Sequence, residues 1–276
     1  MRKARVLFVS QEITPYLDET HIGKITRRLP QAIQERGKEI RTFMPKYGNI
    51  NERRHQLHEV IRLSGMNIVI NNADHPLIIK VASIPTARMQ VYFIDNDDYF
   101  QRKSVLTDKA TGKYFDDNDE RAIFFNRGVI ETVKKLGWAP DVIHCHGWFT
   151  GLMPIYIKKA FAEDPLFSDT KIIFTVYDEE YTKALNKKVV DKAIIDGISK
   201  KDLKHIEDAS YLNLMKLAID NSDGIAFGSE TVNAEVEKYA KKSGKPILEY
   251  KGEAEYTDAY NEFYDLVLED SEVLAD

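Results

Sequence analysis

The chain carries one cysteine, Cys145, among its 276 residues. That count excludes an intrachain disulfide and fits a reducing compartment. Long apolar runs are missing too. Nothing approaches the roughly 18 apolar residues needed to span a bilayer, and the short run at residues 6–10 reads as a strand rather than a signal peptide. The expectation is a soluble, cytoplasmic protein with no membrane partner. Charge excess is slight: 39 basic side chains face 44 acidic ones, a net charge of −5. Bulk nucleic acid is therefore not an expected partner. The sequence has no G-x-G-x-x-G and no P-loop, so the common nucleotide cradles are absent and no cofactor is expected. Gly228-Ser229-Glu230 lacks the second glycine of a nucleophile elbow, which argues against hydrolase chemistry. Internal repeats and low-complexity linkers are also lacking.

What is there suits a globular α/β protein. Hydrophobic residues make up 43% of the chain and charged ones 30%, which supplies a sizeable core. Residues 5–9 form a short apolar run expected to be a buried strand. Ile22, Ile25, Leu29, Ala32 and Ile33 then recur at helical spacing, with Gly37 where a C-cap belongs. A strand at 39–44 completes a β-α-β unit, which favours a parallel sheet. Strand candidates at 57–64, 66–70, 77–84 and 89–94 follow without helices between them, so they read as an antiparallel or mixed insertion. Alternation then returns: helix 119–136, strand 141–145, helix 151–161, strand 171–176, one or two helices in 199–220, strand 224–227, helix 231–242 capped by Ser229, and strand 246–250. The acidic end, 269–276, is expected to fray. The fold expected is one doubly wound α/β domain with a β-rich insertion. In such sheets ligands sit beyond the carboxyl ends of the strands, so the loops at 12–23, 146–150 and 177–181 should meet in one crevice.

Several clusters could carry chemistry. His144 and His146 share a face of their strand, with Cys145 on the other. No second His or Cys pair offers closing ligands, so a metal is not expected. Either one histidine is buried at a strand end, or His146 and Trp148 line a pocket for a polar ligand with an apolar face, such as a sugar. Asp116, Asp117, Asp119 and Glu120 stand at a helix N-terminus, where the dipole favours carboxylates. A functional role needs one of them turned into the crevice. Asp95, Asp97 and Asp98 follow a strand, but no phosphate cradle lies nearby. Lys24, Arg27 and Arg28 are either an anion site near the first loop or the solvated face of a helix.

The order of motifs resembles bacterial glycogen synthases and plant starch synthases. The match begins with residues 6–16, VLFVSQEITPY, and continues through Leu29-Pro30, Met44-Pro45-Lys46-Tyr47-Gly48 and residues 91–96. Asp117-Asn118 with Arg121 is similar to the family's Asp-Asn-x-x-Arg. Residues 136–148, LGWAPDVIHCHGW, carry the most specific match, and 171–176 with Tyr181, then 215–229, extend it. The resemblance covers about residues 4–240. It implies one Rossmann-like half of a two-domain glycosyltransferase of the GT-B type. In that family the N-terminal domain chiefly holds the growing α-1,4-glucan, and the C-terminal domain binds most of ADP-glucose. This chain is similar to the N-terminal domain alone, and residues 1–276 are expected to be a single domain without the donor domain.

The departures matter as much. The family's Lys-x-Gly-Gly-Leu loop is here Asp18-Glu19-Thr20-His21-Ile22, with Gly23 kept beyond it. A diphosphate would meet acids and side chains in place of lysine and bare backbone. In the His-x-His-Asp-Trp-His motif, Gly147 replaces Asp and Phe149 the last His. Ile-His-Asn is Val176-Tyr177-Asp178. The resemblance implies a glucan-facing set of Glu12, Asp117, Asn118, Arg121, His146, Trp148 and Tyr177, with His146 and Asp117 at family-equivalent catalytic positions. Three readings follow: a synthase-like protein without catalysis that binds α-glucan or another glycogen-pathway protein; an active glucosyltransferase completed by a separate donor-domain chain; or a metal-dependent or hydrolytic enzyme using the histidine pair. The altered loop favours the first.

The tail adds an expectation of its own. Tyr256, Tyr260, Phe263, Tyr264, Val267 and Leu268 form one apolar helical face. A lone helix of this length needs a surface to pack on. The helix within 253–269 is therefore expected to fold back onto this same domain, the alternative being a docking helix for another chain, including a second copy.

Overall fold

The computed structural model describes residues 2–269. β1 (Arg5–Ser10), α1 (His21–Glu35) and β2 (Glu39–Pro45) open the chain. The insertion holds α2 (Glu52–His55), β3 (His58–Glu59), β4 (Met66–Ile70), β5 (Ala73–Ile84) and β6 (Met89–Asp95). Next come α3 (Asp97–Phe100), α4 (Asn118–Leu136), β7 (Val142–His146), α5 (Met153–Ile155), β8 (Lys171–Val176) and α6 (Val189–Ala193). The series closes with α7 (Tyr211–Asp220), β9 (Gly224–Phe227), α8 (Ala234–Lys242), β10 (Ile247–Leu248) and α9 (Tyr256–Glu269).

Among the described residues the strands join in one sheet, ordered β10-β9-β8-β7-β1-β2-β6-β5-β3, with β4 paired to β5. From β10 to β6 all neighbours are parallel. β5 runs antiparallel to β6, β3 and β4. This is the doubly wound arrangement expected, with the β-rich insertion at one edge. β1 is buried along nearly its whole length, as a strand covered on both faces must be, which explains its unbroken apolar sequence. The chain winds one way from β1 to β2 and the other way from β7, so the switch point lies between β1 and β7, where Ser10 aligns with His146.

α9 covers the same sheet face as α1. Tyr256, Tyr260, Phe263, Tyr264 and Val267 pack on Val6, Phe8, Val142, Ile173 and Ala226, beside Leu29 and Ile33 of α1. Lys38 bonds Asn261 and Asp265, each at 2.8 Å, and Arg36 bonds Asp258. The tail folds back as its apolar periodicity predicts. Residues 270–276, most of the end expected to fray, lie outside the described residues.

Four expectations need correction. Segment 57–64 is a strand only at His58–Glu59. Beyond it the Ser64 N–H donates to the Val60 and Ile61 carbonyls in a turn, and the Ser64 hydroxyl accepts the Ile79 N–H at 3.0 Å that a longer strand would take. β4 and β5 form a longer hairpin than expected, turning at Asn71 and Asn72, both with positive φ, as a two-residue primed turn requires. Residues 151–161 form no single regular helix; α5 passes into a π-helical turn, Tyr156–Ala160. Finally, α8 is capped by Asn233, whose side chain accepts the Glu235 and Val236 N–H groups. Ser229 instead accepts the Asp178 N–H at 3.0 Å.

Candidate functional site

The three loops meet at the β1/β7 switch point. Two of them, 12–23 and 177–181, line an open crevice of about 450 Å³ with Glu12, Thr20, His21, Tyr177, Asp178 and Glu179 on its walls, while the expected third wall, 146–150, is replaced by Ser229, Glu230 and Thr231. Among the described residues no lysine or arginine lines it.

Its centre is a pair of carboxyl groups held by one amide. Gln11 Nε2 donates to Glu12 Oε1 at 3.3 Å and to Glu179 Oε2 at 3.1 Å. The other Glu179 oxygen accepts the Trp148 backbone N–H at 2.6 Å. Burial, with the Glu12 charge beside it, pushes the Glu179 carboxyl up to about 8, outweighing the bonds from Trp148 and Gln11 that favour its charged form. Gly147, at φ 78°, lets the carboxylate approach: a Cβ there would stand 2.3 Å from Glu179 Oε1. This explains the glycine at the position where the family has aspartate. Neither Gln11 nor Glu179 stands out in the sequence. No spacing rule marks them; the one signal is that both follow the carboxyl ends of parallel strands.

The first loop closes on itself. Thr20 caps α1, accepting the Gly23 N–H at 3.0 Å, and its hydroxyl donates to Glu12. The helix N-terminus, the usual seat of a phosphate, thus has its own cap and a carboxylate behind it. His21 Nε2 is hydrogen-bonded to the Gly228 carbonyl at 2.6 Å. Glu19 pairs with Lys24 at the surface, and Asp18 is exposed.

The histidines lie beneath the crevice, fully buried. His144 is hydrogen-bonded to Tyr264 at 2.7 Å and Thr175 at 2.6 Å. His146 Nδ1 is hydrogen-bonded to the Tyr177 hydroxyl at 2.7 Å, while its Nε2 has no partner among the described residues. Burial holds His146 down to about 3 and His144 well below the usual range. Among the described residues no group of three or more His, Cys, Asp or Glu could hold a metal ion.

The remaining resemblance-based residues lie apart from this pair of carboxyl groups. Arg121 is wholly buried. It donates to the carbonyls of Tyr99 (2.8 Å) and Val105 (2.7 Å) and to the Asn118 side chain (2.7 Å). Asn118 in turn donates to the Leu106 carbonyl. Both hold the 101–117 loop rather than opening into the crevice. Asp117 is clasped by Arg102 at 2.6 and 2.5 Å. The Trp148 ring packs edge-on against Tyr181, 4.9 Å between centroids, and both line, with Asn118 and Lys183, a second concavity of about 540 Å³. It is the Trp148 backbone N–H that bonds Glu179.

Comparison with known proteins fits this geometry. Residues 5–249 match the family model for the starch synthase catalytic domain. A glycogen synthase of Chlorobium limicola is 39% identical over 198 residues, covering 72% of this chain and 40% of that protein. A glycogen synthase of Chlorobium luteolum is 35% identical over 222 residues, 80% of this chain and 45% of the relative. The chain thus spans less than half the length of these curated relatives. The catalytic domain of starch synthase IV from Arabidopsis thaliana, solved with ADP and acarbose, superposes with a TM-score of 0.71 at 19% identity, over 90% of this chain and 51% of that one. That likeness is one of fold. No helix among the described residues is long and apolar enough to cross a membrane.

Proposed function

The chain belongs to the starch synthase catalytic domain family, and on that premise we propose that it is a glycogen/starch synthase-like domain that binds neutral α-glucan and does not take the nucleotide-sugar donor in its crevice. The observation that carries this reading is the Gln11-bridged pair of Glu12 and Glu179 in a crevice that, among the described residues, no lysine or arginine lines. A diphosphate placed there would meet Glu12 where it needs positive charge, and the α1 N-terminus is already capped by Thr20. Carboxyl, amide and hydroxyl groups beside tyrosine rings suit sugar hydroxyls and their apolar faces instead.

Electrophoresis of the protein through native gels containing glycogen tests the glucan half of the proposal. Mobility is expected to fall relative to a glucan-free gel. Glu12→Ala should restore part of it while leaving the thermal midpoint close to that of the parent. Unchanged mobility in glycogen would contradict glucan binding.

A further inference from the structure

A cavity of about 270 Å³ lies behind the crevice, between α1, the 248–253 segment and α9; His21 and Tyr250 border both. Its walls are aromatic, formed by Phe227, Tyr250, Tyr256 and Tyr260. Its mouth is basic. Lys24, Arg27 and Arg28 come from one face of α1, at the i, i+3 and i+4 spacing that sets side chains side by side, and Lys251 stands among the same lining residues.

These cations differ in how they are satisfied. Lys24 pairs with Glu19 at 2.5 Å. Arg27 donates to Gln31 at 2.8 Å and Thr86 at 3.3 Å. Among the described residues no carboxylate pairs with Arg28 or Lys251. Arg28 instead lies over the Tyr256 ring, 5.7 Å from its centroid. Of the two acids at the mouth, Glu249 is drawn to Lys241 at 3.4 Å, which leaves Glu253 facing four cations. Inside, the Thr14 hydroxyl is buried with no hydrogen-bond partner among the described residues. An aromatic slot, two cations without a carboxylate and an orphan hydroxyl make one composite feature, and each part calls for something different from a ligand.

We infer that this cavity is a small-molecule site for a compact aromatic ring carrying one anionic group. The ring lies among Tyr250, Tyr256 and Phe227, where offset and edge contacts favour flat apolar bodies. The anion meets Arg28 and Lys251 at the mouth, through charge-assisted hydrogen bonds. A neutral ring would leave the cations unanswered, and a bare anion would leave the aromatic walls unfilled. Because α1 and α9 both line the cavity, occupancy ties the C-terminal helix more firmly to the domain and raises thermal stability.

Calorimetric titration of the intact chain with phenyl phosphate, inorganic phosphate and phenol separates these contributions. Phenyl phosphate is expected to bind one to one, with each half-molecule at least about tenfold weaker, and to raise the thermal midpoint. Arg28→Met and Lys251→Met should each weaken phenyl phosphate by about tenfold or more, while Glu12→Ala in the crevice leaves it unchanged. Failure of phenyl phosphate to bind, equal binding of inorganic phosphate, or undiminished binding by both methionine variants would overturn the assignment. None of these results depends on whether the crevice binds glucan.

Discussion

The Glu179 carboxylate rests on the bare α-carbon of Gly147, where a Cβ would stand 2.3 Å from its Oε1. Two constraints meet at this glycine, the contact and a φ of 78°. Gly147→Ala should therefore destabilise the domain by about 2–4 kcal/mol, combining backbone strain with overpacking. Adding Glu179→Ala removes the contact but not the strain. Chemical denaturation of the two single variants and the double variant should give a non-additive cycle in which Glu179→Ala recovers part of the loss.

The same carboxyl should make stability depend on pH. Its folded value, about 8, lies above its ordinary value of 4.5. The folded state therefore holds the proton more tightly than the unfolded chain. The Glu179 contribution is most favourable at acidic pH and declines as pH rises from about 4.5 to 8. Each tenfold difference in proton affinity between the two states is worth about 1.4 kcal/mol, so the decline amounts to a few kcal/mol. Glu12, Tyr47, Tyr114, Tyr177 and Tyr211 all sense or supply charge around this group. Glu179→Gln should flatten that slope, so that its stability relative to the parent improves between pH 5 and pH 8.5. Parallel stability–pH profiles would contradict the assignment.

His146 acts at the other end of the scale. Its folded value, about 3, lies below the ordinary 6.5, so it stays neutral in the fold but takes up a proton once the chain unfolds. Its contribution is fully present above about pH 6.5 and is lost as pH falls toward 3. His146→Phe keeps the aromatic packing, and its stability should fall less steeply over that range in acid-denaturation curves.

Tyr264 links the C-terminal helix to the sheet through His144. Tyr264→Phe leaves His144 Nδ1 buried without a partner and should cost about 1–3 kcal/mol. Phe263→Ala, which opens a cavity against Gly224, should cost about 3–5 kcal/mol. Each kcal/mol should appear as a fall of about 2–4 °C in thermal midpoint for a domain of this size. Deleting residues from 253 onward should lower the midpoint further or cause aggregation, because it uncovers the apolar face of β1 and β7. An unchanged midpoint after deletion would mean that α9 is not part of the fold.

The parallel core was readable because buried strands such as β1 and β8 are continuous apolar runs, and because α1, α4 and α9 keep helical apolar spacing. The insertion was less readable. At Ser64 a side chain takes over a backbone role, and at Asn71-Asn72 the turn depends on two positive φ values that no periodicity reveals. The site divides in the same way. Glu12, Thr20, His21 and Tyr177 reach the crevice because a loop's place at a strand's carboxyl end follows from strand order. Arg121 and Asn118 stand inside the domain because their partners are carbonyls of a loop whose course the sequence does not encode locally. Glu179 becomes notable only through its contact with Gly147 and its bonds to Gln11 and the Trp148 backbone, all of which are tertiary.

The most direct test of the central claim is a calorimetric titration of the intact chain with ADP-glucose, run beside one with maltoheptaose. With Glu12 behind the capped α1 N-terminus and, among the described residues, no lysine or arginine lining the crevice, ADP-glucose should bind no more tightly than about millimolar, roughly −4 kcal/mol. Maltoheptaose should give a saturable signal that Glu12→Ala weakens. Micromolar binding of ADP-glucose that Glu12→Ala alters would place the nucleotide sugar in this crevice and contradict the account.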